Sequence, residues 1–530
     1  MELAQESLTE PRLTLEMWID SISRPTPLPL PVGRGVYRPS AEKTEGKTNY
    51  SPPSQGGAGG GSLSPCGWGW GFGTLYSIPW WSGRVKDNFC EREAKPAITR
   101  FVPGREGTGW TDRIDSVVSY LAKNGYSALD HHYGLWYDLR RTDHERVRRA
   151  DGDVWAPFYE QPFARSGQGT AWDGLSRYDL TRPNEWYWGR LREFADKAAQ
   201  EGIMLFNHHY FQHNILEAGA HWVDCPWRPV NNINYSPFPE PVPFAGDKRV
   251  FMAEQFYDET NETLRPLHRQ YIRMCLDQLK DQPNVVHLIS AEYTGPLHFT
   301  RFWLQTIAEW EQETGRHPLI ALSCTRDVQD SLLADPVLSK VVDIIDIRYW
   351  HYNTEGLWAP EGGRNMAPRQ WMRKMKVGKT GFDEAYRAVR EMRDRHPDKA
   401  VTFFAQQYPS YGWAILMAGG SLANVPLNSK LQTPNSKLLT PNSKLLTDLP
   451  RMLPLDGEGC VALGKAGVGY LIYTRSGAAT LPVADGLYTI YAVDTATGDI
   501  ALKEKKIRLT GSFTLSDAKP NQVYWLKTGQ

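Results

Sequence analysis

The sequence predicts an α/β architecture, a (β/α)8 TIM barrel followed by a small all-β sandwich, and three observations carry that prediction. Near-continuous apolar runs of strand length alternate with amphipathic helical segments through the middle of the chain. Polar and charged residues collect where those runs stop. Beyond residue 450 the rhythm changes to short alternating strands separated by Gly and Asp turns. A length of 530 residues suits one large barrel plus an accessory module.

The elements follow in order. "GFGTLYSIPWW" begins the barrel as a strand, and "TDRIDSVVSYLAKNG" is an amphipathic helix with Thr111 as N-cap and Gly125 as its close. "YSALDHH" is strand-like, "RPNEWYWGRLREFADKAAQEG" is a helix ending at Gly202, and "IMLFNHH" is again a strand. Then come "ETLRPLHRQYIRMCLDQLKDQ" (helix), "NVVHLISAEY" (strand), "FTRFWLQTIAEWEQETG" (helix), "PLIALSCT" and "VVDIIDIRYW" (strands), "FDEAYRAVREMRDRH" (helix) and "KAVTFFAQQY" (strand). About eight such units over this length close a barrel.

Two segments stand apart from that rhythm. Residues 1–66, with "RPTPLPLPVGRG" and "SPPSQGGAGGGSLSP", have the composition of a disordered leader, or of an incorrect start that conceals an export signal. Residues 427–447 carry the tandem repeat "LNSKLQT", "PNSKLLT", "PNSKLLT", in which Pro forbids a continuous helix, so the segment is expected as a surface insertion outside both cores. The domains are therefore a leader at 1–66, a barrel at 67–447 and a sandwich at 448–530.

Composition narrows the partners. Lys+Arg 60 balances Asp+Glu 60, so nothing favours a nucleic-acid partner. No run approaches the ~18 apolar residues that membrane insertion requires. Six cysteines without a C-x-x-C leave the redox compartment open. The unusual feature is aromatic: Trp 20, Tyr 25 and Phe 18, many beside Gly, Pro, Asn and His, read as cleft lining or as filling for a large core.

In a (β/α) barrel the chemistry gathers at the C-terminal ends of the strands. Those ends supply Asp130, His131, His132, Asn207, His208, His209, Glu292, Asp327, Asp346, Arg348, Gln406 and Gln407. An unpaired buried polar group costs about 1 to 3 kcal/mol, so this collection faces a wet cleft or is mutually paired. The twin motifs "LDHHY" and "FNHHY" invite a metal reading. Neighbouring side chains on a strand point to opposite faces, however, and barrel metal sites favour His-x-His, so no metal and no cofactor is expected. One member of each pair, with Tyr133 and the aromatics Tyr293, Tyr349 and Trp350 at later strand ends, offers donors and flat faces to a sugar. For the other member the alternative is a hydrogen bond to loop backbone.

The segment "NVVHLISAEYTGP", an apolar strand stopping on Glu292, resembles the fourth-strand end of clan A-type glycoside hydrolase barrels. In those enzymes the acid/base Glu usually follows Asn, where this chain has Ala291. The span 67–447 also resembles bacterial glycosidase-like barrels of polysaccharide-degradation systems, including apiosidase-like and putative collagen-binding proteins, and the tail resembles their C-terminal β-sandwich. The resemblance implies a glycoside hydrolase with an oligo- or polysaccharide substrate and a periplasmic or secreted location, although the first residues show no signal peptide.

Glycoside hydrolysis usually takes two carboxyl groups. The resemblance places the second at the seventh strand, but "KAVTFFAQQYPSYGW" offers only Gln406 and Gln407. The nearest substitute is Asp346, which shares a strand face with Arg348 and Trp350. Arg348 would hold it ionised, as a nucleophile or base requires, while Glu292 serves as acid. Asp346 and Arg348 could equally be a structural pair, and Asp327 is a third carboxylate with a helix-capping alternative. Arg326 and Arg348 at neighbouring strand ends suit a uronic acid carboxylate, unless they serve the protein's own aspartates. Two rival functions stay open: a carbohydrate-binding protein with reduced catalysis, favoured by the missing seventh-strand Glu, and a polysaccharide lyase using a His or Tyr base.

Overall fold

The computed structural model describes residues 74–77, 95–102, 104–133, 158–216, 222, 225–240, 249–364, 380–403, 411–428, 445 and 448–529. The leader 1–66, most of the repeat and Gln406 and Gln407 lie outside the described residues.

Seven strands make one parallel sheet in chain order: β1 (Thr74–Ser77), β2 (Tyr126–His131), β3 (Met204–Phe211), β4 (Val285–Ala291), β5 (Leu319–Leu322), β6 (Ile344–Ile347) and β7 (Ala400–Phe403). Each is followed by a helix: α1 (Ile114–Lys123), α2 (Glu185–Gln200), α3 (Leu264–Gln278), α4 (Leu297–Thr314), α5 (Arg326–Leu333), α6 (Phe382–Arg395) and α7 (Gly412–Met417). This is a (β/α) barrel with seven strands among the described residues instead of eight. At the eighth place only Ser421 pairs in parallel with Thr402, and Leu422 packs on the barrel interior.

Alternation explains the two layers. Leu75, Ala128, Met204, Phe206, Val286, Leu288, Ala321 and Ile344 point inward and form a closed interior cluster. Their neighbours in sequence, such as Leu129, Leu205, Val285 and Ile345, face the helices in the main core. The helices meet that layer with a 3.6-residue stripe: Ile114, Val117, Val118 and Leu121 are the buried residues of α1. The cap expected at Thr111 is not used, because α1 starts after Arg113 and the Thr111 hydroxyl instead bonds Val102. Asn184 caps α2 by accepting from the Trp186 N–H at 3.1 Å, and Gly125, Gly202 and Gly315 follow their helices with positive φ.

The core also settles the tryptophans. Trp188, Trp222, Trp227, Trp303, Trp310, Trp350 and Trp525 are among the largest fully buried side chains, so these seven fill the core and do not line a cleft.

The C-terminal region is antiparallel. Its strands are β8 (Leu453–Gly457), β9 (Cys460–Lys465), β10 (Gly469–Thr474), β11 (Ala479–Pro482), β12 (Gly486–Val493), β13 (Ile500–Leu509), β14 (Ser512–Leu515) and β15 (Val523–Thr528). Six form a sheet in the order β8-β9-β10-β15-β12-β13, and the β11-β14 ribbon covers one face through Leu481 and Phe513. The other face packs on the barrel: Phe382 of α6 stacks on Tyr473 at 4.6 Å, and Trp413 of α7 donates to the Thr495 carbonyl at 3.0 Å. The two ends of the repeat segment depart from the expected surface insertion, since Leu427 and Leu445 are fully buried core residues. No helix among the described residues is long and apolar enough to cross a membrane.

Candidate active site

The barrel interior ends in a charged network. Asp130, at the end of β2, accepts from His208 Nε2 of β3 at 2.6 Å and from Arg348 Nη1 and Nη2 at 2.8 and 3.1 Å. Arg348, just past β6, also donates through Nε to Asp346 Oδ2, while Asp346 Oδ1 accepts from the Thr402 hydroxyl of β7 at 2.7 Å. Four strands thus contribute to one buried cluster.

Burial opposes charge on Asp130 and Arg348, and their pairing overcomes it. Desolvation raises the Asp130 pKa, but Arg348 and His208 outweigh it and hold the carboxyl well below the usual range. For Arg348, burial acts downward and is overcome by Asp130 and Asp346, which hold the guanidinium protonated. Asp346 is 2 % exposed and both its oxygens accept hydrogen bonds.

Glu292 follows β4 immediately and is half-buried. Its φ of 53° is left-handed, a conformation that costs a non-glycine residue about 1 to 3 kcal/mol and persists only where the surroundings impose it. Those surroundings are visible. Gln212, after β3, accepts from the Thr294 N–H at 3.0 Å and donates to the Thr294 hydroxyl at 2.9 Å. From the β6–α6 loop, Gly363 donates to the Thr294 carbonyl at 2.8 Å. The Glu292 turn is therefore clamped from two sides.

Tyr349, next to Arg348 in the chain, is buried. Burial raises its pKa, Arg348 and the Tyr293 backbone act downward, and both Glu292 and Asp346 act upward. The hydroxyl lies within electrostatic reach of both acids.

The histidine pairs diverge as alternation requires. His208 turns inward to Asp130, whereas His209 turns to the helix layer, where its Nδ1 accepts from the Trp303 indole at 3.1 Å and its Nε2 meets His287 Nδ1 at 3.0 Å. An indole can only donate, so His209 carries its proton on Nε2 and gives that hydrogen bond to His287. His131 likewise faces α2, with Nε2 at 3.1 Å from the Tyr187 hydroxyl, and His132 stacks on Phe211 at 4.1 Å. Among the described residues no three His, Cys, Asp or Glu side chains converge as metal ligands.

Several sequence candidates serve the scaffold. The Tyr133 hydroxyl accepts from the Phe211 N–H at 3.0 Å, and the Tyr293 hydroxyl meets Thr300 at 2.9 Å. Trp350 donates to Gln329 at 2.7 Å, and Arg326 lies over the Trp350 ring while it pairs with Asp330 and Glu391. Asp327 sits in the first turn of α5 and accepts from the Gly362 N–H at 3.0 Å, so it anchors the β6–α6 loop. Asn207 is buried, and neither of its side-chain atoms meets a partner. Gln407 lies outside the described residues. Both arginines singled out for a uronate are paired with the protein's own carboxylates.

Sequence reasoning did not find Thr402, Gln212 or His287. A lone polar residue inside an apolar strand, as in "NVVHLIS", is the available signal for the last.

Residues 1–438 match the family described as a domain of unknown function, DUF6298. The chain belongs to that family. This DUF6298 protein is similar to solved glycoside hydrolases at low identity. One is a family 5 glycoside hydrolase from Bacteroides vulgatus ATCC 8482, at 10 % identity and a TM-score of 0.44, covering 86 % of this chain and 88 % of that one. Another, titled only as a glycoside hydrolase, has 11 % identity and a TM-score of 0.42 over 81 % of this chain and 91 % of that one. A family 44 xyloglucanase from Paenibacillus polymyxa has 9 % identity and a TM-score of 0.34 over 80 % and 84 %. No curated protein matches the chain.

Proposed function

We propose that this DUF6298 protein is a glycoside hydrolase acting on a complex polysaccharide, with Glu292 as general acid and Asp346 as nucleophile or base. The observation that carries the reading is Glu292 itself: a half-buried carboxyl held in a left-handed conformation at the end of β4. Strain of this kind is tolerated where geometry matters to function. In the proposed reaction Glu292 protonates the leaving glycosidic oxygen while Asp346, paired with Arg348, attacks the anomeric carbon or takes the proton of an attacking water. The resemblance to the apiosidase-like group agrees with a plant-type glycan. A uronic acid would have to compete with carboxylates already on Arg326 and Arg348.

A second reading, a glycan-binding protein with reduced catalysis, is favoured by the occupancy of both Asp346 oxygens. The test is incubation with pectic and hemicellulosic oligosaccharides, reading new reducing ends and the absorbance of unsaturated uronates. Hydrolysis lowered at least ~10²-fold in Glu292→Gln supports the acid role. Full activity in that variant sinks it, glycan binding without new reducing ends supports the second reading, and unsaturated products indicate a lyase.

A further inference from the structure

We propose that Tyr235 is a sugar-stacking platform on the C-terminal face of the barrel; this rests on the glycan-processing reading above. Tyr235 is 83 % exposed and has φ 55°, so a bulky side chain occupies a conformation that Gly or Asn would adopt at lower cost. A single exposed aromatic is ordinary. An exposed aromatic held in a strained backbone by a dedicated set of buried side chains is not.

That set is specific. Asn232, itself buried, shares its two amide hydrogens among the carbonyls of Pro226 and Arg228 at 3.0 and 2.9 Å and the Ser236 hydroxyl at 2.8 Å, and accepts from the Asn234 N–H at 3.0 Å. Ser236 donates to the Trp227 carbonyl at 2.6 Å. Asn234 accepts from the Leu180 N–H at 2.8 Å, and the Ile233 N–H donates to the Tyr178 carbonyl at 2.9 Å. The residues on both sides of Tyr235 are thereby fixed while its ring stands in solvent.

Topology gives the location. The loop runs from the C-terminal end of β3 to α3 and docks on residues 178–180, just ahead of the α2 cap Asn184. Both belong to the C-terminal face of the barrel, the face that carries Glu292. The chemistry selects the ligand. A rigid ring with a flat apolar face and a polar tip matches the C–H face and hydroxyls of a sugar. A protein interface would need a contiguous patch of several hundred Å².

The test is affinity electrophoresis of the full chain through gels containing soluble xyloglucan, arabinoxylan or polygalacturonate, with thermal unfolding alongside. Tyr235→Ala is expected to weaken retardation about tenfold and Tyr235→Trp to preserve it. Tyr235→Gly should lose retardation while its Tm stays equal or rises, because glycine relieves the left-handed strain. A merely structural tyrosine would lower Tm in that variant. Retardation unchanged in Tyr235→Ala overturns the platform alone, and so does a glycine variant that is destabilised yet still retarded. A wild type retarded by none of the three glycans overturns the glycan reading and the platform with it.

Discussion

Arg348 and Asp130 lie 218 residues apart in the chain and meet end-on inside the barrel, with Nη1–Oδ2 at 2.8 Å and Nη2–Oδ1 at 3.1 Å. The pair joins β2 to β6 across the interior and fixes the arginine that holds Asp346. Its stability contribution resides in completeness, since one buried partner without the other is an uncompensated charge.

Asp130→Asn is therefore expected to cost about 3 to 5 kcal/mol in chemical denaturation, and Arg348→Met a similar amount. The double variant should cost less than the two singles together, because it removes both charges. Additive losses, or a single-variant cost below about 1 kcal/mol, would show that the pair is not coupled as the geometry implies.

The buried histidines set the acid limb of stability. Burial holds His131 and His209 well below the ordinary imidazole range and lowers His268 and His287 to about 3. These groups are neutral when folded, whereas the unfolded chain takes up their protons below ~6.5. Stability is thus full above that pH and falls as pH drops toward 3, by about 1.4 kcal/mol per pH unit for each proton taken up only on unfolding. Unfolding free energy measured from pH 7 to 4 checks the sign, and a flat profile would contradict it.

His317 sets an opposite, weaker limb. Its hydrogen bonds to Asp343 Oδ1 at 2.9 Å and Glu311 Oε1 at 2.5 Å raise its pKa to about 10. The contribution is complete below ~6.5 and is lost as pH rises through about 10, and half-exposure keeps it small. His317→Ala should flatten the alkaline decline of Tm and leave glycan binding unchanged, because the residue lies ahead of β5 on the face opposite Glu292.

Gly362→Ala tests the clamp on the Glu292 turn. An added Cβ would lie 2.5 Å from Val328 Cγ2, 2.7 Å from Thr325 Oγ1 and 3.0 Å from the Gly295 carbonyl. The β6–α6 loop must then shift off Asp327, at an expected cost of about 1 to 3 kcal/mol. Thermal unfolding indistinguishable from wild type would mean that the loop is not seated there.

By itself the sequence determined the elements and their order. Apolar runs such as "IMLF" and "NVVHLIS" become β3 and β4, the amphipathic stripe of α1 closes before Gly125, and Glu292 falls at the end of the fourth strand, because periodicity and breakers act over a few residues. Alternation also required each histidine pair to split between two faces. Only the tertiary structure decided that His208 faces Asp130 while His209 faces Trp303, that Arg348 is held by two aspartates, and that Glu292 is left-handed. Among the described residues it also leaves a single bridge at the eighth place and puts seven tryptophans in the core. Each of these depends on partners brought together by curling of the sheet, and a local pattern fixes which residues alternate without fixing which face becomes the inside.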